Sequence, residues 1–286
     1  MEYDKSKSDG LWEACSEMEM AAYLHLSKLL KGFEIAFRNC YEAGALVPTI
    51  PGQRHNEEDM RFAALFLKRA LTDLRAVWNL IHMGYTSEAA SVTGALFEHA
   101  LAVNAIAGWP ERVKEILNTK DGDLPWSPTK LSKLLAEQHR QEAEILEKPF
   151  TDEEYQDIWR QTYVAYKYIC KIKHPTMRSV SYEAFNTSLN DKEFVVMAAP
   201  DLREEDLTLK AFILLISLNR CYQAIRRFSL ALECDTESEQ YKESIKKMSI
   251  AHSEVISAFK EIASGSLPFN ILDDKFIKEW FENKSD

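Results

Sequence analysis

The chain contains few residues that interrupt helices: it has nine glycines and nine prolines in 286 residues. These residues fall between long stretches in which apolar side chains recur every three or four positions, which is the period of an amphipathic helix. Charged residues make up 28% of the chain and hydrophobic residues 46%, so low-complexity, collagen-like and wholly disordered organisation are excluded. The sequence therefore predicts a folded protein that is mostly α-helix.

Several chemical motifs are missing. The five cysteines form an odd set without a C-x-x-C pair, which argues against a zinc knuckle and a disulfide framework. No histidine has a glutamate three positions before it, so the Glu-x-x-His signature of di-iron bundles is absent. Phosphate-binding glycine loops and the G-x-S-x-G nucleophile elbow do not occur either. We therefore expect no bound metal and no cofactor, and we exclude P-loop nucleotide hydrolysis and α/β-hydrolase chemistry.

The sequence also lacks long hydrophobic runs and an excess of positive charge. The first ten residues do not follow the plan of a signal peptide, and the longest uncharged apolar run, 211–218, is too short to span a bilayer. The formal net charge of -10 repels nucleic acid and anionic lipid unless cations gather locally. These features predict a cytoplasmic protein that does not associate with membranes.

The helical period predicts an all-α multi-helix bundle. The predicted helices are 11–43, which ends in Gly44, then 57–84, 87–107, a short helix from Pro110, 129–148, one from Thr151 to His174, 204–232, 238–263 and 273–281. Thr151 and Glu154 form a capping box. The segment 176–200 loses the period and predicts a small β-hairpin or an irregular insertion. We expect one domain, 1–286, built as a single body or as two packed halves, 10–148 and 151–286.

One stretch is basic within this acidic chain. Between positions 158 and 182 there are five cations and no Asp or Glu: Arg160, Lys167, Lys171, Lys173 and Arg178. One interpretation is an anion site for a phosphate, a nucleotide or an RNA backbone, with Lys167, Lys171 and Arg178 as ligands and His174 as a proton carrier. The alternative is that the cations complement the helix C-terminus and are neutralised by acids from elsewhere in the fold.

A second candidate pair lies in the predicted helix 57–84. Arg75 and His82 form Arg-x6-His, the outer limit of the Arg-x(4–6)-His pattern of HEPN-type ribonucleases, in which Arg stabilises phosphate charge and His moves a proton without a metal. Residues seven apart share a helix face. The alternative is a chance pair on a core helix, because Trp78 and Ile81 have the pattern of core residues.

The predicted helix 87–107 carries a carboxylate, Glu98, after a run of small residues. A charged residue in a central helix must be paired or exposed, because an unpaired buried carboxylate is costly. Pairing with Arg75 or His174 would form a polar centre suited to an active site. Otherwise Glu98 is structural or faces water.

Two stretches, GYTSEAASVTGALFEHALAVNAI and YVAYKYICKIKHPTMRSV, resemble an uncharacterised family of all-helical bacterial proteins. Its pattern is a Gly, a helix of the form E-A-x-x-x-x-R-x-x-x-E, and a later aromatic helix that ends in His-Pro. The matching positions are Gly84, Glu88, Ala89, Glu98, Tyr163, His174 and Pro175, whereas Gly94 stands at the Arg position. The resemblance implies a HEPN-like bundle that acts in bacterial stress or phage defence, with Glu98, Tyr163 and His174 facing one another.

Three functions follow as hypotheses. The first is an interaction or regulatory protein of bacterial antiviral defence that binds an anionic ligand or partner through Glu98, Tyr163 and the basic segment. The second is a metal-independent HEPN-type ribonuclease in which His174, or alternatively His82, moves the proton and Arg75, Lys171 or Arg178 holds the phosphate. The third is a dimeric helical scaffold without a ligand. A protein partner or a homo-oligomer is expected, and RNA or a nucleotide is a candidate ligand of the segment 158–182.

Overall fold

The computed structural model describes residues 10–121, 123–174, 179–180, 188–190, 193–194 and 199–263. These residues form an all-α bundle with one short antiparallel strand pair. The helices are α1 (Leu11–Leu29), α2 (Lys31–Leu46), α3 (Glu58–His82), α4 (Thr86–Ile106), α5 (Pro110–Leu117), α6 (Pro128–Ile145), α7 (Asp152–Lys173), α8 (Glu204–Ala231) and α9 (Glu239–Ile262), and the strands are β1 (Ser188–Asn190) and β2 (Glu193–Phe194).

The centre of the bundle is α4, in which fourteen of 21 residues are buried. It packs against α3, α6, α7 and α8, and its small residues allow these neighbours to approach closely. Its apolar character on all sides is expected of a helix that is surrounded by protein. By length and composition alone α4 would also pass as a membrane span, but 72% of the relevant window is buried inside the protein, as in a core helix.

The boundaries that depend on local chemistry are confirmed. Thr151 and Glu154 cap α7 reciprocally: the Glu154 N–H donates to the Thr151 hydroxyl at 3.1 Å, and the Thr151 N–H donates to the Glu154 carboxylate at 2.7 Å. α7 ends before His174, whose backbone is extended as expected for a residue that precedes proline. The strand pair lies within the predicted insertion 176–200. The predicted helix 273–281 lies outside the described residues.

The prediction of one first helix from 11 to 43 is wrong. The chain breaks at the buried Leu30, which separates α1 from α2. Gly44 does not end the helix, because α2 continues to Leu46. A Cβ at Gly44 would lie 2.6 Å from Leu71 Cδ2 of α3 and 3.0 Å from Ile225 Cδ1 of α8, so this glycine is a close-packing position. Because of the break, the two helices pack against different neighbours: α2 lies along α9, while α1 contacts α3 and α2.

Candidate functional site

The break between α1 and α2 borders a cleft of about 620 Å³ that is completed by α3. The residues that line it include Tyr23 and Ser27 from α1, Lys31, Phe37 and Tyr41 from α2, and Trp78 from α3. Its volume is within the range of small-molecule binding sites.

Aromatic side chains dominate the walls of the cleft. Phe37 and Trp78 are buried at its floor, with ring centroids 5.0 Å apart. Tyr23 and Tyr41 are partly exposed on its α1 and α2 sides. Leu74 of α3 adds an aliphatic contact at the floor. Such a surface favours a flat, largely apolar group, because aromatic rings pack in offset or edge-to-face arrangements.

His82 is the fully buried polar residue of the cleft wall. Its Nδ1 lies 2.8 Å from the carbonyl oxygen of Trp78, and because a carbonyl only accepts, Nδ1 carries the proton and donates. The remaining nitrogen of the neutral ring, Nε2, is then an acceptor. Within the described part of the chain this buried Nε2 has no hydrogen-bond partner. The ring is held 3.9 Å from that of Trp78 and 5.5 Å from that of Tyr23, measured between centroids.

Burial lowers the pKa of His82 below its ordinary value, since the imidazolium would lose hydration. The Trp78 carbonyl and the Glu34 carboxylate oppose this effect, whereas the positive charge of Arg75 reinforces it. His82 is therefore neutral at pH 7 and presents a lone pair rather than a charge.

The rim of the cleft carries cations. Glu34 pairs with Arg38 along α2, and Glu42 accepts from Lys247 of α9 at 2.7 Å. The exposed side chains of Lys31 and Arg75 have no ion-pair partner among the residues that the structure describes. Both carboxylates of the rim are thus engaged, and two positive charges remain available to a ligand.

Arg75 and His82 are the predicted site residues that the structure brings together. Both line the cleft, as their spacing of seven on one helix implies. Trp78 and Ile81 are core residues, as the sequence indicates, but Trp78 also forms the cleft floor. Sequence reasoning missed Tyr23 and Lys31, because their contribution depends on the break at Leu30, which no glycine or proline marks at that position.

The α7 candidates lie apart from this cleft. Lys167, Lys171 and Tyr163 are half-buried on α7, and His174 is exposed at its end; none of them is part of the cleft lining. Arg178 lies outside the described residues. An anion site in the basic segment therefore stays a prediction, and it is a different site from the one containing Arg75 and His82.

Of the two interpretations of Glu98, the pairing with Arg75 or His174 is not formed. In the described residues its carboxylate accepts from the Tyr166 hydroxyl at 2.7 Å, not from Arg75 or His174. Tyr166 lies on α7 where this helix faces Glu98 of α4, and its hydroxyl gives the carboxylate a hydrogen-bond donor. Burial and Glu98 together raise the pKa of Tyr166 well above its ordinary value, so it remains a donor.

A lysine of α7 lies in the space beside Gly94 of α4. A Cβ at this position would lie 3.0 Å from Lys173 Nζ, and the same ammonium lies 5.8 Å from the ring centroid of Tyr166. The absent side chain thus leaves room for the end of α7. This arrangement joins α4 to α7 and is consistent with a structural role for Glu98.

Metal-ligating side chains do not cluster in the described residues, and two buried cysteines are protonated thiols. No group of three His, Cys, Asp or Glu side chains there is placed to hold a metal ion. All five cysteines are free thiols. Burial raises the pKa of Cys40 to about 12 and that of Cys221 well above its ordinary value, so these two are not thiolates at pH 7.

Comparison with protein-family models, with curated proteins and with solved structures gave no match. Of what the motif resemblance implies, only the all-helical bundle is therefore confirmed.

Proposed function

We propose that the protein binds a small organic anion with a flat ring in the cleft between α1, α2 and α3. The observation that carries this proposal is the combination of an aromatic floor with two unpaired rim cations, Lys31 and Arg75. The ring contributes contact area against Phe37 and Trp78, and the anionic group remains at the rim, where it keeps part of its hydration.

The affinity expected from this arrangement is moderate. Each exposed ion pair contributes up to about 1 kcal/mol, and the cost of immobilising a ligand offsets much of the ring contact. We expect dissociation constants in the micromolar to millimolar range, which suits a protein that responds to a ligand concentration.

The position of the cleft supports a regulatory or interaction role. α1 buries only Ala22 and Leu26, whereas Trp12, Met20 and Leu24 are each more than half exposed. A ligand that contacts Tyr23 and Ser27 on α1 and Trp78 on α3 holds α1 against the bundle. Ligand binding thereby changes how firmly this exposed apolar helix is presented to a partner. Action in bacterial defence is part of the proposal on the strength of the motif resemblance alone, and a cytoplasmic location on the strength of the sequence composition.

Calorimetric titration of the full chain tests the proposal. The probes are indole-3-carboxylate and adenosine 5′-monophosphate, each a flat ring with an anionic group. Arg75→Gln should weaken binding about fivefold by removing one rim cation, and raised salt should reduce that difference. Arg69→Gln is the matched control, because Arg69 is exposed on α3 outside the cleft lining. Absence of binding by both probes at millimolar concentration, or equal effects of the two substitutions, would overturn the proposal.

A metal-independent ribonuclease is the second candidate, favoured by the presence of Arg75 and His82 in one cleft. A neutral Nε2 is in the correct state for a general base, and Arg75 would stabilise phosphate charge. Incubation of tRNA with wild type, His82→Gln and His174→Ala tests it. Cleavage that is lost in His82→Gln and retained in His174→Ala supports this candidate, and an inactive wild type rejects it.

A further inference from the structure

His82, which lines the cleft, holds a buried acceptor whose tautomer is already set. Nδ1 of His82 is occupied by the Trp78 carbonyl, which fixes the tautomer and leaves Nε2 with its lone pair. A buried acceptor without a partner is unfavourable, and native structures contain few of them. Other buried polar side-chain atoms of the described residues share this status, among them Asn104 Oδ1 of α4, Gln223 Oε1 of α8 and Ser244 Oγ of α9. His82 differs from these three because it lines a cleft of about 620 Å³.

We infer that the ligand carries a hydrogen-bond donor on its ring, an N–H or O–H, that is recognised by Nε2 of His82. This inference rests on the proposed function and names the ligand chemistry: a flat heteroaromatic anion with a donor on its ring edge. Indole-type carboxylates and purine nucleotides share that chemistry. The lone pair of His82 selects the donor edge, while Lys31 and Arg75 attract the anionic group.

The surroundings of Nε2 make this selection strict. The rings of Trp78 and Tyr23 flank His82, so a ligand ring that reaches Nε2 has left most of its water behind. When the ligand lacks a donor, water therefore does not take its place as the hydrogen-bond donor to Nε2. A site built to hydrogen-bond a ligand group discriminates against the analogue that lacks it, because the protein atom is then left unpaired.

Two matched pairs of probes test the inference by calorimetric titration. The first pair is indole-3-carboxylate and 1-methylindole-3-carboxylate, which differ by N–H against N–CH₃. The second is adenosine 5′-monophosphate and its N6,N6-dimethyl analogue. We expect the donor-bearing member of at least one pair to bind wild type about tenfold more tightly, and the pair that discriminates identifies the ligand type. His82→Phe, which keeps a ring but removes both nitrogens, should abolish the difference.

A second measurement uses the wild-type protein alone, so it does not depend on whether His82→Phe folds. The ¹⁵N resonance of His82 Nε2 in wild type should move when the donor-bearing probe binds and stay in place with its methylated analogue. Equal affinities within both pairs, together with a stationary resonance, would overturn the inference and leave the proposed function intact. Failure of all four probes to bind overturns the proposed function itself.

Discussion

At the scale of single residues, His82 makes stability depend on pH. The pKa of His82 in the folded state lies below its ordinary value near 6.5. At a pH just below 6.5, the unfolded chain is therefore protonated at this histidine while the folded chain is not. The free energy of unfolding therefore falls as the pH drops from about 6.5 towards the folded pKa, by at most ~1.4 kcal/mol per pH unit for one histidine. His139, whose pKa burial also lowers, acts in the same direction.

Urea unfolding at pH 7.5 and pH 5.5 checks this prediction. His82→Phe should lose less stability between the two pH values than wild type does. His55→Phe is the control, because His55 is exposed, and it should behave as wild type. An unchanged pH dependence in His82→Phe would contradict the account of a buried neutral imidazole.

The buried ion pair of α8 gives a second residue-level prediction. Lys210 pairs with Asp206, both side chains are buried, and the Thr86 hydroxyl also donates to Asp206. Asp206→Ala should cost about 3–5 kcal/mol, because it leaves the ammonium buried and uncompensated. Chemical denaturation of the double variant Asp206→Ala, Lys210→Met should show most of that stability restored. A double variant as unstable as the single one would refute the explanation.

Site residues were predictable from the sequence only where they share one helix. Arg75 and His82 are seven apart on α3, so their spacing alone places them on one face. The partner of Glu98 required the register between α4 and α7, which the sequence does not specify. For that reason, only the structure shows that the partner of Glu98 is Tyr166 and not Arg75 or His174.

At the scale of helices, the glycines of α2 and α4 should respond differently to alanine. Gly44→Ala should destabilise the protein by about 1–3 kcal/mol despite the higher helix propensity of alanine, because the new methyl meets Leu71 of α3. Gly94→Ala meets only the flexible end of Lys173, so its cost should be smaller. Thermal unfolding of the two variants measures the difference, and equal losses would contradict the packing role of Gly44.

Helix ends, like site residues, were predictable from the sequence where their cause lies within a few residues, and not where it lies far away in the chain. The starts at Pro110 and Thr151 and the end at His174 were predictable, because proline geometry and a capping box act within a few residues. The break at Leu30 was not predictable, because it depends on the packing of α2 along α9. In that packing a Cβ at Gly32 would lie 3.0 Å from Ala258 Cβ. Such a contact joins positions more than 200 residues apart.

At the scale of the whole molecule, α1 should be the least protected of the long helices. It buries two residues, whereas α4 buries fourteen, so we expect local opening of α1 at low free energy. Amide hydrogen exchange should be faster in α1 than in α4, and indole-3-carboxylate should slow exchange in α1 selectively. Uniform exchange in the two helices, or protection by the ligand outside α1 to α3, would contradict the regulatory part of the proposal.

The scaffold hypothesis also makes a prediction at this scale. An obligate homodimer requires a particle of twice the chain mass at micromolar concentration, which light scattering measures directly. A strict monomer would reject obligate dimerisation.

An NMR titration of the full chain with indole-3-carboxylate locates the ligand site directly. We expect chemical shifts to change first at Tyr23, Arg75, Trp78 and His82, around the cleft. Changes confined to α7, near Lys167 and Lys171, would place the anion site in the basic segment instead, and a spectrum without changes would leave the cleft without a ligand. Either result would refute ligand binding in the cleft between α1, α2 and α3.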